Sequence, residues 1–350
     1  MNYLIIGAGA IGTYLGVSLM DAGCQVTIVE RDEASAQLRK DGITLEKLDG
    51  SVQRVFPSVA ENIIGGLAQK PDVVIFAMKS FDTAAAASQL RDQLSLFKVV
   101  LCLQNGVENE AVIAEVVGGG KVMTGSISSA VERTGLGQAR LERLRGIGIG
   151  SQHPLAGALF TDFQAAALKP MLIRDASAMK WTKMLSNLLG NATAAILDMP
   201  PGAIFAHPVG YQIERRQILE AITVMRKMGI RVINLPGTPM VWLKRLMLIF
   251  PAGLARPVLA KVMGSGRGNK MPSFHIDLHA GRPRLESGYL NGAVVRFGKR
   301  VGVETPVNAA LDQLLQELIG RPDLQAEYKA NPEKLFAYIR QFSASGKAGA

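Results

Sequence analysis

A short apolar run at residues 3–6 passes directly into Gly7-Ala-Gly-Ala-Ile-Gly12, and residues 10–22 then read as a helix. This strand, glycine loop and helix in succession is the setting in which a dinucleotide fingerprint has physical meaning. Gly7 permits the tight turn, Gly9 lets backbone approach a pyrophosphate, and Gly12 lets helix and sheet close on each other. Ala8, Ala10 and Ile11 complete the loop and first turn, whose free N–H groups and helix dipole favour an anion. Such a start commits the first half to an α/β fold. Residues 25–30, 73–78 and 99–103 read as further strands alternating with helical stretches, which predicts a doubly wound parallel sheet of the Rossmann type. Residues 43–56 carry Asp49-Gly50 between strand-like flanks and predict a hairpin insert, and 121–150 read as a glycine-rich β region.

Beyond about residue 174 the pattern turns to long apolar-periodic stretches, with helices predicted over 176–197, 208–228, 285–301 and 307–319. The chain of 350 residues is long enough for two cores. We read 1–174 as the dinucleotide-binding domain, 175–325 as an all-α substrate domain, and 326–350 as a C-terminal extension with a frayed tail from 343. Within the second half, 239–263 is apolar and carries Lys244, Arg245, Arg256 and Lys261 without an acid. Pro251 and Pro257 interrupt it and its charges recur too often for a spanning helix, so a helical surface excursion is expected, followed by a loop over 264–270.

Composition excludes several classes. Hydrophobic residues at 48% and charged residues at 19% place the chain among folded globular proteins rather than disordered ones. The net charge of +10 is spread over scattered cations with no aromatic platform between them, which argues against a nucleic-acid partner and suits a phosphorylated cofactor and a carboxylate substrate. Cys24 and Cys102 have neither a disulfide nor a zinc spacing, and the opening residues lack a secretory leader pattern, so a reducing cytoplasm is expected. His275 and His279 stand four apart with no third ligand in sequence, so a solvated helix face is expected there and no metal.

Several polar residues stand where ligands bind in such folds. Glu30 and Arg31 close the second strand and pull in opposite directions: a carboxylate there accepts from ribose hydroxyls, whereas a guanidinium attracts a 2′-phosphate. Lys79 and Asn105-Gly106 follow the next two apolar strands at the carboxyl edge of the sheet. In the second half, Lys183, Asn187 and Asn191 are spaced by four, which on one helix confines them to an arc of roughly 80°. Met184, Leu185, Leu188 and Leu189 surround them, so the polar ridge lies on a helix suited to burial.

Taken together, the chain resembles the ketopantoate reductase (2-dehydropantoate 2-reductase) family. The resemblance runs in order through the glycine loop, Arg31, Lys79, Gln104-Asn105-Gly106, the Lys183–Asn191 run, and Ala280-Gly-Arg-Pro-Arg-Leu-Glu-Ser-Gly-Tyr-Leu-Asn-Gly292. It implies a Rossmann domain, a helical C-terminal domain, and NADPH-dependent reduction of a 2-keto acid to pantoate on the way to coenzyme A. By the same resemblance Lys183 is the proton donor and Glu286 the carboxylate that positions it. Asn105 then sits near nicotinamide and substrate, Asn187, Asn191 and Ser273 bind substrate, and Arg31 and Lys79 contact NADPH. The implied partner is a small 2-keto acid, with neither nucleic acid nor membrane, and a homodimer stays open.

The sequence departs from that pattern at three points. Pro201 stands where an Asn commonly precedes the glycine at Gly202, the Ser273 to Glu286 spacing is one residue longer than in the shortest family members, and Phe274-His-Ile276 replaces the more usual run before Asp277. Glu30 keeps NAD(H) open. Two alternatives therefore stand beside the main reading: a related dehydrogenase acting on another 2-keto acid or an imine, and a non-enzymatic dinucleotide sensor. Retention of both Lys183 and Glu286 speaks against the sensor.

Overall fold

Among the described residues twelve strands form in chain order: β1 Asn2–Ile6, β2 Gln25–Val29, β3 Ile43–Glu46, β4 Val52–Val55, β5 Ser58–Ala60, β6 Val73–Phe76, β7 Val99–Cys102, β8 Val122–Ile127, β9 Ala130–Gly135, β10 Gln138–Arg143, β11 Ile147–Gly150 and β12 Pro170–Ile173. The computed structural model in which they are seen describes residues 1–266 and 271–346. These fall into two compact units, Met1–Lys180 with Leu235–Thr238, and Trp181–Asn234 with Pro239–Ala350.

In the first unit the large sheet has the order β12-β11-β8-β7-β6-β1-β2-β5, and the central strands are parallel. Their continuous apolar composition follows from burial on both faces. Side-chain alternation divides them between two cores: Tyr3, Ile5, Val73, Ile75, Val99 and Leu101 pack on one face, and Leu4, Ile6, Val74, Phe76, Val100 and Cys102 on the other. The one antiparallel pairing in this sheet joins β11 to β8, so the doubly wound sheet is mixed near that edge. A second sheet, β4-β3-β10-β9, contains the expected hairpin, with β3 and β4 antiparallel around the turn at Gly50. Because β1, β6 and β7 run parallel, the loops after Ile6, Phe76 and Cys102 all leave from one edge, where ligands bind in such sheets.

The second unit is helical. Pro201, Pro208, Pro306, Pro322 and Pro332 each open a helix, where a missing N–H costs nothing and the fixed φ is already helical. The single helix expected over 176–197 is instead two, Ala176–Leu188 and Ala192–Leu197. Gly190 breaks it with φ 64°, in the left-handed region that other residues enter only with strain. The excursion at 239–263 forms two helices, Met240–Leu248 and Ala252–Gly266, with Trp242, Ile249, Phe250, Leu254 and Val258 exposed. The second of these absorbs residues 264–266 of the expected loop, and 267–270 lie outside the described residues. The last helix, Pro332–Ala344, likewise takes in the start of the expected frayed tail, of which 347–350 lie outside the described residues. Among the described residues no helix is long and apolar enough to cross a membrane.

Candidate active site

The glycine loop is built as its sequence requires. Gly7 adopts φ 99° and donates its N–H to Val29 O at 3.0 Å, which ties the loop to the end of β2. Gly9 is the N-cap of the Ala10–Asp21 helix, and a Cβ added there would meet nothing within 4 Å. A Cβ on Gly12 would lie 1.9 Å from Gly7 O, so that glycine is required by the protein itself. An open cradle at Gly9 and a helix N-terminus behind it fit the pyrophosphate of a dinucleotide.

Glu30 and Arg31, which the sequence left undecided, are separated by the fold. The Glu30 carboxylate turns back to the loop and accepts the Ala8 N–H at 2.6 Å, while Arg31 is exposed at the N-cap of the Asp32–Asp41 helix. Lys79 is half-buried at the start of a short 3-10 turn, Ser80–Asp82, after β6. Asn105, half-buried after β7, has its carbonyl held by Ser80 Oγ at 2.9 Å and Asn109 Nδ2 at 2.6 Å. Gln104 Nε2 donates to Met78 O, Lys79 O and Thr83 Oγ1, at 3.1, 3.3 and 2.9 Å. These bonds stitch the β6 and β7 loops into one edge.

In the second unit Lys183 and Asn187 are half-buried on the Ala176–Leu188 helix, between fully buried Met184, Leu185 and Leu188. Asn191 is not on that helix, contrary to the expected three-residue ridge; it is the N-cap of Ala192–Leu197, 3% exposed. There it accepts the Phe274 N–H at 3.0 Å and lies 3.4 Å from Ser273 Oγ. Two candidate substrate-binding residues 82 positions apart are thus brought together. Glu286, 6% exposed, is the N-cap of the Ser287–Val301 helix.

The family model described as ketopantoate reductase PanE/ApbA matches residues 3–153, and its C-terminal companion matches 175–318. The chain belongs to the ketopantoate reductase family. A 2-dehydropantoate 2-reductase of Halobacterium salinarum is 28% identical over 325 residues, covering 90% of this chain and 98% of that protein. A PanE/ApbA family ketopantoate reductase of Ralstonia eutropha superposes with a TM-score of 0.76 at 25% identity, over 93% of this chain and 100% of that one. D-mandelate dehydrogenase, solved with NADH and anilino(oxo)acetate, shares the fold at TM-score 0.73 and 20% identity, over 94% of this chain and 99% of that one.

Within this ketopantoate reductase fold, two supports went unread in the sequence. Helix Pro208–Lys227 carries Glu214, Gln217 and Glu220, three apart along one face. Glu214, fully buried, accepts the Gly190 N–H at 2.9 Å and the Thr193 hydroxyl, so it holds the break that sets Asn191. Gln217 donates to Leu188 O and accepts from Asn291 Nδ2, and Glu220 accepts the Val307 and Asn308 N–H groups. The signal was a polar residue every third position among Tyr211, Ile213, Ile218 and Ala221. The other support is Lys180, 5% exposed and paired with Glu110 at 2.9 Å.

The histidine pair also differs from expectation. His275 is half-buried, with Nε2 2.7 Å from Asp198 Oδ1, and His279 Nε2 lies 4.0 Å from the same oxygen. Asp198, in a left-handed conformation after Ala192–Leu197, is also paired to Lys329 at 2.8 Å. Asp198, remote in sequence, therefore hydrogen-bonds His275, while His279 Nε2 lies 3.2 Å from Ala195 O. Lys329, more than the histidines, holds the Asp198 carboxyl below its usual range, while burial depresses His275.

Proposed function

We propose that this chain is an NADPH-dependent 2-dehydropantoate 2-reductase, making pantoate for coenzyme A synthesis in the cytoplasm. The observation that carries the reading is the Lys183, Asn187, Asn191 series on an otherwise buried support, with Asn191 set against Ser273, in a chain matched by both halves of the family. Bound NADPH supplies the hydride to the C2 carbon. With the Gly7 and Ala8 N–H groups already bonded to Val29 and Glu30, the pyrophosphate is taken at Gly9 and the first turn of the helix behind it, and Arg31 and Lys79 take the remaining phosphate charge. As negative charge grows on the carbonyl oxygen, the Lys183 ammonium stabilises it and then gives up a proton from Nζ. Glu286 keeps that ammonium charged and aimed. Asn187, Asn191 and Ser273 hold the substrate hydroxyl and carboxylate, and Asn105 faces the nicotinamide.

A second reading, NADH in place of NADPH, is favoured by one observation: Glu30, at the end of β2, keeps its carboxylate beside the glycine loop, and a carboxylate at that strand end disfavours a 2′-phosphate. Loss of absorbance at 340 nm with ketopantoate, run against a panel of 2-keto acids with both cofactors, decides between them. Rapid turnover of a different keto acid with no turnover of ketopantoate would sink the substrate assignment and keep the reaction class.

A further inference from the structure

Lys180 is a buried cation that the proposed chemistry does not use. It lies on helix Ala176–Leu188, three residues before Lys183, and is 5% exposed. Its ammonium donates to the backbone carbonyl of Gln104 at 2.5 Å and lies 2.9 Å from Glu110 Oε1. Burying an ammonium is costly, and a nearby carboxylate offsets the cost only where the geometry is good. Here burial works against the charged form, but the adjacent Glu110 carboxylate outweighs it and holds the lysine above its ordinary range.

The Gln104 carbonyl takes one of the three N–H donors of the buried ammonium and is itself fixed by that bond. That carbonyl belongs to the peptide leading into Asn105, and the carbonyl on the far side of Asn105 is held by Ser80 and Asn109. Gly106 follows at φ 95°, so the chain leaves Asn105 through a conformation with little steric guidance of its own. Lys180 therefore closes the upstream side of a clamp whose downstream side is Ser80 and Asn109. The Gln104 side chain, bonded to Met78 O and Lys79 O, extends the clamp to the loop carrying Lys79.

We propose that Lys180, seated between Glu110 and the Gln104 carbonyl, is a positioning residue for the hydride transfer: by fixing the Gln104 peptide it sets the orientation of Asn105 toward the nicotinamide. The inference rests on the role given above to Asn105. It also makes one short helix carry both the Lys180 clamp and the Lys183 proton donor.

The test compares Lys180→Met with the double variant Lys180→Met/Glu110→Leu in the full-length protein. The single variant strands a buried carboxylate and lowers Tm, whereas the double replaces the pair by apolar side chains and regains Tm. Displacing a reacting geometry by about 1 Å costs on the order of 100-fold, so the refolded double variant should keep kcat depressed by about that factor. Its affinity for NADPH should change little, while the fluorescence of the bound nicotinamide shifts. A double variant that regains both Tm and kcat would overturn the proposal and leave the pair a structural one. Wild-type protein that reduces no keto acid would instead remove the functional reading. The fluorescence arm then decides alone, and unchanged nicotinamide emission in the double variant would refute the clamp.

Discussion

Gly9 and Gly12 stand three apart in one loop, yet the structure assigns them opposite reasons for being glycine, and alanine at each separates the two. At Gly12 the new Cβ would lie 1.9 Å from Gly7 O and 3.2 Å from Ile5 Cγ2. The Gly7 carbonyl must retreat by about an ångström, which bends the loop off β1 at an overpacking cost of about 1–3 kcal/mol. At Gly9 the backbone has φ −72°, which any residue adopts, and the Cβ meets no protein atom within 4 Å. Gly9→Ala should therefore still fold, with a penalty of about 0.5–1 kcal/mol for replacing a glycine N-cap by alanine. Its methyl instead occupies the space a pyrophosphate needs. Losing one charge-assisted hydrogen bond to an oxygen held there costs about 1.5–3 kcal/mol, or roughly 10- to 100-fold in Kd. Thermal unfolding and NADPH fluorescence titration read the two quantities separately. Gly12→Ala should lose both stability and binding, and Gly9→Ala chiefly binding. A Gly9→Ala protein that binds NADPH as tightly as wild type would refute the assignment of this loop to the cofactor.

Other outcomes follow from the second unit and the β2 terminus. Lys183→Ala should lower kcat by about 10²–10⁴-fold with NADPH affinity nearly intact, as expected of a general acid; steady-state kinetics beside a binding titration checks this, and an unchanged kcat removes Lys183 from the chemistry. Arg31→Ala should weaken NADPH but not NADH, and Glu30→Gln should do the reverse, so a cofactor preference unmoved by either change clears both of 2′-phosphate recognition. Glu214→Ala leaves the Gly190 N–H without its acceptor and should cost about 1–3 kcal/mol by denaturant unfolding. It should also raise KM, because Asn191 depends on that turn. Burial lifts the Glu220 carboxyl to about 7, against hydrogen bonds from Asn308 and Val307 that pull it down. A raised folded-state value means its stabilisation is complete below the unfolded value of about 4.3 and is lost as pH rises through about 7. The Tm difference between wild type and Glu220→Gln should accordingly shrink from pH 5 to pH 8, and a constant difference would contradict it.

Much of the cofactor half was legible in the chain because its determinants are local. Strand periodicity, a glycine loop and a helix start lie within residues 2–21, and the Asp49-Gly50 turn selects its hairpin without help from elsewhere. The polar stripe was legible only in part. Spacing alone put Lys183, Asn187 and Asn191 on one ridge, but Gly190 breaks the helix, and what stabilises the break is a carboxylate from Glu214, 24 residues away. No window on the Ala176–Leu188 helix contains that partner.

The same holds for the other supports. Lys180 looks in sequence like one more cation beside Trp181, yet it meets Gln104, 76 residues earlier. Asp198 reaches His275 from a distance of 77 residues, which is why the pair alone suggested a solvated face. Glu30 and Arg31 are neighbours with opposite charge, and only the approach of the Ala8 N–H to Glu30 distinguishes them. By itself, then, the sequence determined the fold class, the family and the chemical types at the site, since these depend on periodicity and on motifs a few residues long. Tertiary structure alone decided which polar groups are buried together, because a buried charge or amide is tolerated only where a partner arrives, and those partners come from remote parts of the chain.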